Sequence, residues 1–162
     1  MTATDHISAL IAHGKAFYIT GKITIPQSSS IDLLGEVDGK RVSLLTYSIN
    51  SSQGPVSVNL KESPNVTDNG TQMPVFNRNR NFEDNPYTKA YIEPTYTGGN
   101  VIYEAYIHDI GGGSHTQGGD ANIPTEIKLK DNTNYIFSIN NIATSDTDVS
   151  FQIASDRDWE TM

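Results

Sequence analysis

The sequence predicts an all-β protein, an antiparallel β-sandwich that is jelly-roll-like, with about 8–10 short strands and long loops. Apolar and polar residues alternate with a period of two through most of the chain, which is typical of half-buried strands. Ser, Thr and Asn contribute 45 of the 162 residues. Because these side chains compete with the helix backbone and favour turns and sheet surfaces, the composition argues against a helical bundle.

The residue patterns of seven segments predict strands. The first, Lys15–Ile25, is long and contains Gly21, where it can bend. In Asn100–His108 the alternation places Val101, Tyr103, Ala105 and Ile107 on one face. The remaining segments are Ser30–Val37, Ala90–Glu93, Glu126–Leu129, Tyr135–Ile139 and Val149–Ile153.

Two further segments predict a hairpin. Pro55–Glu62 alternates cleanly, whereas the apolar parity of Arg41–Ile49 changes at Leu44–Leu45. Such a change indicates a β-bulge or a strand that is covered on both faces. Because residues 51–54 contain a glycine, we expect them to form the four-residue loop of the hairpin.

Two stretches lack periodicity. Pro64–Tyr87 is long for a plain connection, which favours a functional loop or an excursion that covers the sandwich. Ile110–Pro124 contains five glycines and is expected to be mobile. Residues 1–12 are predicted to form an N-terminal arm, residues 13–155 a single sandwich domain, and residues 156–162 an acidic C-terminal tail.

Composition excludes several classes of protein. The 11 basic residues against 19 acidic ones give a net charge of −8, which disfavours a nucleic-acid partner. The chain has no cysteine, which excludes disulfides, thiolate metal sites and cysteine nucleophiles. No run approaches the roughly 18 apolar residues of a membrane span, and no signal-peptide pattern is seen. We therefore expect a protein that is not exported and has no membrane partner.

No motif predicts catalysis or a cofactor. The four histidines lack metal-ligand spacing, although His108 and Asp109 could bind an ion. The stretch Gly112–Thr116 resembles a nucleophile elbow but lacks the final glycine. Glu104 is a candidate for a carboxylate pair, although a solvent-facing role is favoured. We predict no enzyme activity, no metal and no cofactor.

Two features predict contacts with other subunits. Asn77–Asn81 carries two of the four arginines, and an extended backbone would place both guanidinium groups on one side. Tyrosines, which are favoured at interfaces and are also common in strands, crowd the region after residue 86. The predicted intersubunit or capsid-contact residues are Asn77, Arg78, Asn79, Arg80, Tyr87, Tyr91 and Tyr96.

Several stretches resemble a family of small head proteins of tailed bacteriophages, the capsid-decoration or cement proteins. The resemblance rests on His13–Gly21, Ile31–Gly35, Phe76–Arg80, Glu93–Thr95 and Leu129–Asn141. It implies a sandwich or jelly-roll domain bound to the outer surface of an icosahedral capsid. It also implies a homo-oligomer, such as a trimer, and it supplies no active-site residues.

The predicted function is therefore that of a structural virion protein. It would be made in the host cytoplasm and would stabilise a phage capsid by binding between subunits of the major capsid protein. The alternative is a carbohydrate- or receptor-binding β-sandwich module, a tail or adsorption component with tyrosines along a groove.

Overall fold

The computed structural model describes residues 3–37, 42–83, 88–107 and 120–157. Within these ranges the chain forms one α-helix and thirteen β-strands. The elements are α1 Ala3–Ala12, β1 Ala16–Ile25, β2 Ser30–Val37, β3 Val42–Ser51, β4 Val56–Glu62, β5 Asn65–Asp68, β6 Thr71–Met73, β7 Phe76–Asn77, β8 Thr88–Ile92, β9 Thr95–Thr97, β10 Asn100–Ile107, β11 Asp120–Lys128, β12 Asn134–Asn141 and β13 Thr147–Arg157.

Eight long strands form an antiparallel jelly roll. One sheet has the order β11-β3-β13-β1-β7 and the other has the order β10-β4-β12-β2-β8-β6. The pairs β1–β13, β2–β12, β3–β11 and β4–β10 are nested, so a long hairpin is folded over into two sheets. This confirms the predicted sandwich.

The hydrophobic core lies between the two sheets. In β4 the alternating residues Val56, Val58 and Leu60 are buried, as the sequence pattern predicts. In β12 Tyr135, Phe137 and Ile139 point into the same cluster. The alternation therefore reports which face of each strand packs against the opposite sheet.

The parity change in β3 is a β-bulge. Thr46 pairs with Ala154 and Leu44 with Ser155, so that the backbone of Leu45 has no counterpart in β13. One extra residue shifts the alternation by one position, which accounts for the consecutive leucines.

The predicted hairpin of β3 and β4 is wrong. β3 lies between β11 and β13 in one sheet, and β4 belongs to the other sheet. Because both edges of β3 are already paired, the connection crosses from one sheet to the other, with Gly54 at a φ of 95°. Loop length alone does not distinguish a hairpin from such a crossing.

The position of β10 was predicted correctly. The prediction of which of its side chains share one face is partly wrong. A register shift between Val101 and Tyr103 changes the alternation. Tyr103 and Ala105 pack against the core and Ile107 is buried, whereas Val101 is exposed. The pairing of β1 with β13 runs without a register shift from Ala16 through Gly21 to Ile25.

The segment between β4 and β10 is an insertion into the jelly roll. It extends one sheet with β7 and the other with β8 and β6, and it forms a separate two-stranded ribbon from β5 and β9. The described part of the aperiodic stretch, residues 64–83, is therefore an excursion along the edges of the sandwich. Its strands have two to four residues, too few for a period to be recognisable.

The ends of the chain and the glycine-rich stretch differ in detail from the expectations. The N-terminal residues 3–12 form α1, whose Leu10 is fully buried. β13 continues through Arg157 and buries Asp156, so the strand includes the start of the predicted tail. β11 begins at Asp120, inside the predicted glycine-rich loop, and residues 110–119 lie outside the described residues.

Candidate functional site

The Asn-Arg motif begins with a buried residue. Asn77 is 2% exposed and lies in β7, which pairs with β1. Its Nδ2 donates hydrogen bonds to the carbonyl oxygens of Gly14 and Glu83, both at 3.1 Å. Its Oδ1 accepts a bond from the backbone N–H of Asn79 at 2.9 Å. Asn77 therefore ties the loop that follows β7 to the segment between α1 and β1.

The same loop covers the end of α1. The turn that follows α1 contains Gly14, which has a φ of 70°, as is common just after a helix stops. The ring of Phe82 lies against Gly14 so closely that a Cβ there would approach it to 2.6 Å. The backbone N–H of Arg78 donates to the Ala16 carbonyl at 2.9 Å. We call residues 76–83, which comprise β7 and the loop that follows it, the clasp loop.

The arginines of the clasp loop have different surroundings. Arg80 Nη1 donates to the Asn77 carbonyl at 3.3 Å, and its guanidinium lies 5.3 Å from the centre of the Phe76 ring. The half-buried Arg78 side chain forms no hydrogen bond or ion pair with the described residues. The chain turns at Asn79, where the backbone N–H donates to the Asn77 side chain. The extended backbone that would place both guanidinium groups on one side is therefore not formed.

The two described tyrosines of the predicted set, Tyr91 and Tyr96, do not lie together with the arginines. Tyr91 is on β8, where its hydroxyl donates to Glu36 Oε1 at 3.3 Å. Tyr96 is on β9, and Lys61 Nζ donates to its hydroxyl at 3.0 Å. Tyr87 lies outside the described residues. The clasp loop extends the sheet that contains β1, whereas Tyr91 belongs to the opposite sheet.

An exposed apolar patch lies at the edge of the second sheet. Among the described strands, β10 is the terminal one of its sheet and pairs with β4 alone. Its residues Val101, Ile102 and Tyr106 are 48%, 41% and 66% exposed. We call these three residues the edge patch. Only the consecutive apolar pair 101–102, which breaks the alternation, could have indicated it from the sequence.

The outer face of the same sheet carries a row of polar residues. Glu104 pairs with Asn59, Asn59 with Ser138 and Ser138 with Asp32, each on the next strand. Three strand spacings of about 4.8 Å separate the two carboxylates by roughly 14 Å. Glycosidase carboxylates are about 5–9.5 Å apart, so Glu104 and Asp32 are not such a pair.

A groove runs beside this row, between the sheet and the β5–β9 ribbon. Its floor includes Asp32 and Lys61, and its wall is formed by residues 94–99. The backbone N–H of Glu93 donates to the Asp32 carbonyl at 3.0 Å and joins the base of the wall to the sheet. We call it the ribbon groove.

The described part of the chain contains no group of three His, Asp or Glu side chains that could hold a metal ion. His108, Asp109, and the stretch 112–116 lie outside it, so those candidates are not tested. Among the described helices, none has the length and apolar character needed to cross a membrane.

Comparison with known proteins gives only distant similarities. No family model and no curated protein matches the chain. Among solved structures, the Yersinia pseudotuberculosis-derived mitogen is 14% identical, with a TM-score of 0.44 over 84% of this chain and 83% of its own. PirA is 7% identical, with a TM-score of 0.42 over 83% of this chain and 93% of its own.

A viral structure is also among the weak structural matches. The cyanophage Pam1 capsid asymmetric unit is 14% identical, with a TM-score of 0.27 over 89% of this chain and 84% of that one. With TM-scores below 0.5, none of these similarities assigns a function. The class defined by the fold itself is the antiparallel jelly-roll β-sandwich.

Proposed function

We propose that this protein is a structural virion protein that decorates an icosahedral phage capsid and binds between subunits of the major capsid protein. The sequence resemblance to capsid-decoration proteins suggests this role. The observation that carries the proposal is the edge patch, because a decoration protein acts by burying its surface against a shell.

The edge patch has the physical features of a protein contact. A terminal strand presents backbone N–H and C=O groups that can pair with another chain, and proteins commonly protect such strands with charge. Here Glu104 is the only charged residue between positions 100 and 107. Three exposed apolar side chains on one edge strand therefore favour burial in an interface. A second copy of the chain or the capsid surface could each bury them.

Location is tested first by gold-labelled antibodies on purified particles. Dense label over the head supports decoration. Label at the tail alone, or no label on particles when the antibody detects the protein in lysate, contradicts it.

Contact is tested by Ile102→Lys, with Ile142→Lys as the matched control. The two isoleucines are 41% and 46% exposed, and Ile142 lies outside the edge patch. We expect Ile102→Lys to weaken binding to capsids that lack the protein by at least about tenfold, because a charge would be buried in the contact. Ile142→Lys should bind as the unaltered protein does. Equal binding by both variants and the unaltered protein, with unchanged folding by circular dichroism, would exclude the edge patch as the contact.

Self-association is measured separately by light scattering after size-exclusion chromatography. A homo-oligomer that dissociates in Ile102→Lys but persists in Ile142→Lys places the edge patch between copies of the chain. An oligomer that persists in both variants, together with lost capsid binding, assigns the patch to the shell.

A further inference from the structure

We propose that the ribbon groove binds a neutral oligosaccharide. The inference is independent of capsid decoration, because the groove and the edge patch have no residue in common. It rests on three properties of the groove: a partly exposed aromatic ring in contact with a lysine, two opposite charges that do not pair with each other, and a wall with a glycine backbone.

The aromatic ring belongs to Tyr96. Lys61 Nζ lies 3.0 Å from its hydroxyl and 5.1 Å from the centre of its ring. Both contacts come from one lysine, which restrains the half-buried tyrosine without burying it completely. A restrained, partly exposed ring offers apolar area at low entropic cost, together with a polar edge.

The two charges are Asp32 and Lys61. Asp32 Oδ1 accepts a hydrogen bond from the Ser138 hydroxyl, and no hydrogen bond or ion pair joins Asp32 to Lys61. The carboxylate keeps an oxygen that can accept, and the ammonium group keeps protons that it can donate. Both groups line the groove.

This arrangement fits hydroxyl groups better than it fits ions. A sugar hydroxyl both donates and accepts, so neighbouring hydroxyls can use the carboxylate and the ammonium together. The two charges cancel within the groove, so an anionic or cationic polymer gains no net attraction there. The net charge of −8 of the whole chain further disfavours phosphate-rich ligands.

The wall of the groove ends in two glycines. Gly98 and Gly99 have φ angles of 68° and 101°, which other residues rarely adopt. At Gly99 a Cβ would lie 3.2 Å from the Lys61 Cβ. Glycine therefore allows the wall to approach Lys61 closely, and it leaves backbone groups without a side chain over them at the groove edge.

A glycan array containing neutral and acidic oligosaccharides tests the class of ligand. The site is then located by ¹H–¹⁵N NMR titration of the full chain with maltotriose, cellotriose and triacetylchitotriose. We expect binding of at least one neutral glycan and shift changes confined to Asp32, Lys61 and residues 94–99. Silence across the array and in all three titrations at millimolar concentration would overturn the proposal, as would binding of acidic glycans alone.

Two substitutions and one control separate the groove from the rest of the surface. Asp32→Asn keeps the shape of the side chain but removes its charge, and Tyr96→Ala removes the ring. Each should raise the dissociation constant of the bound trisaccharide by about tenfold or more. Ile142→Ala removes an exposed side chain outside both the groove and the edge patch and should leave the dissociation constant unchanged. An equal loss in the control variant would place the glycan elsewhere. Capsid binding should survive Asp32→Asn, so failure of either proposal is distinguishable from failure of the other.

Discussion

The hydroxyl groups of Tyr47 and Tyr103 lie 2.8 Å apart and join the two sheets of the sandwich through a hydrogen bond. Tyr47 belongs to β3 in one sheet and Tyr103 to β10 in the other. Their rings meet edge to face, with centres 5.9 Å apart. Tyr47 also packs edge to face against Phe137, at 5.3 Å. This polar contact within the core thus joins the edge strand β10 directly to the opposite sheet.

The first prediction concerns this pair. Tyr47→Phe should lower the free energy of unfolding by about 1–2 kcal/mol, because it leaves the partner hydroxyl without its hydrogen bond. The double variant Tyr47→Phe/Tyr103→Phe should lose less than the sum of the two single losses, since no orphaned hydroxyl remains. Urea unfolding of the four proteins measures the coupling. Strictly additive losses would show that the two hydroxyls do not interact in solution.

The second prediction concerns alkaline pH. Burial raises the pKa of Tyr135 to about 12, and a hydrogen bond to Glu62 adds to this, whereas the backbone N–H of Lys130 opposes it. In the unfolded chain tyrosine titrates near pH 10. Because the folded pKa is the higher one, the contribution to stability is complete below about pH 10 and is lost as the pH rises toward 12.

Unfolding midpoints measured from pH 8 to 12 test this. The unaltered protein should lose stability progressively above pH 10, and Tyr135→Phe should show a shallower decline. Burial also raises the pKa of Tyr47, so part of the decline should remain in that variant. Identical slopes for the two proteins would mean that Tyr135 titrates normally in the fold.

The third prediction contrasts two strand glycines. At Gly35 no heavy atom lies within 4 Å of an added Cβ, and the residue lines an apolar cavity of about 90 Å³. Gly35→Ala should therefore stabilise the protein by about 0.5–1 kcal/mol, because glycine loses more conformational freedom on folding. At Gly21 a Cβ would approach the Phe151 ring to 2.8 Å. Gly21→Ala should cost about 1–3 kcal/mol through overpacking.

Thermal unfolding of the two alanine variants checks the sign of each effect. The midpoint should rise for Gly35→Ala and fall for Gly21→Ala. Destabilisation by Gly35→Ala would indicate that the cavity is filled in solution. A neutral Gly21→Ala would mean that Phe151 moves aside at little cost.

The sandwich could be predicted from the sequence because apolar and polar residues alternate along several of the long strands. Alternation determined the buried faces of β4 and β12, and its break at Leu45 corresponds to a bulge. Which strands pair is decided by contacts between distant residues, such as Ala16 with Asp156, and local patterns contain no such information. For that reason the β3–β4 hairpin was predicted wrongly.

The candidate sites were less predictable for a similar reason. The sequence analysis singled out Asn77 for its unusual neighbours, but its burial and the hydrogen bonds of its side chain arise only when β7 meets β1. Asp32 and Lys61 are 29 positions apart and meet at the ribbon groove through sheet order. The contact roles of the other predicted residues remain predictions.

The last prediction separates folding from assembly within the clasp loop. Asn77→Ala removes two donated hydrogen bonds and one accepted bond from a buried side chain and leaves the Gly14 carbonyl without that donor. We expect a loss of about 2–3 kcal/mol in the free energy of unfolding and a weakened attachment of α1. Arg78→Ala should change stability by less than about 0.5 kcal/mol, because its side chain forms no polar contact with the described residues. If the arginines contact a neighbouring subunit, Arg78→Ala should nevertheless weaken capsid binding. Proteolysis within residues 3–12 measures the attachment of α1, and co-sedimentation with capsids measures capsid binding. If Arg78→Ala lowers stability but binds capsids normally, that arginine serves the fold alone.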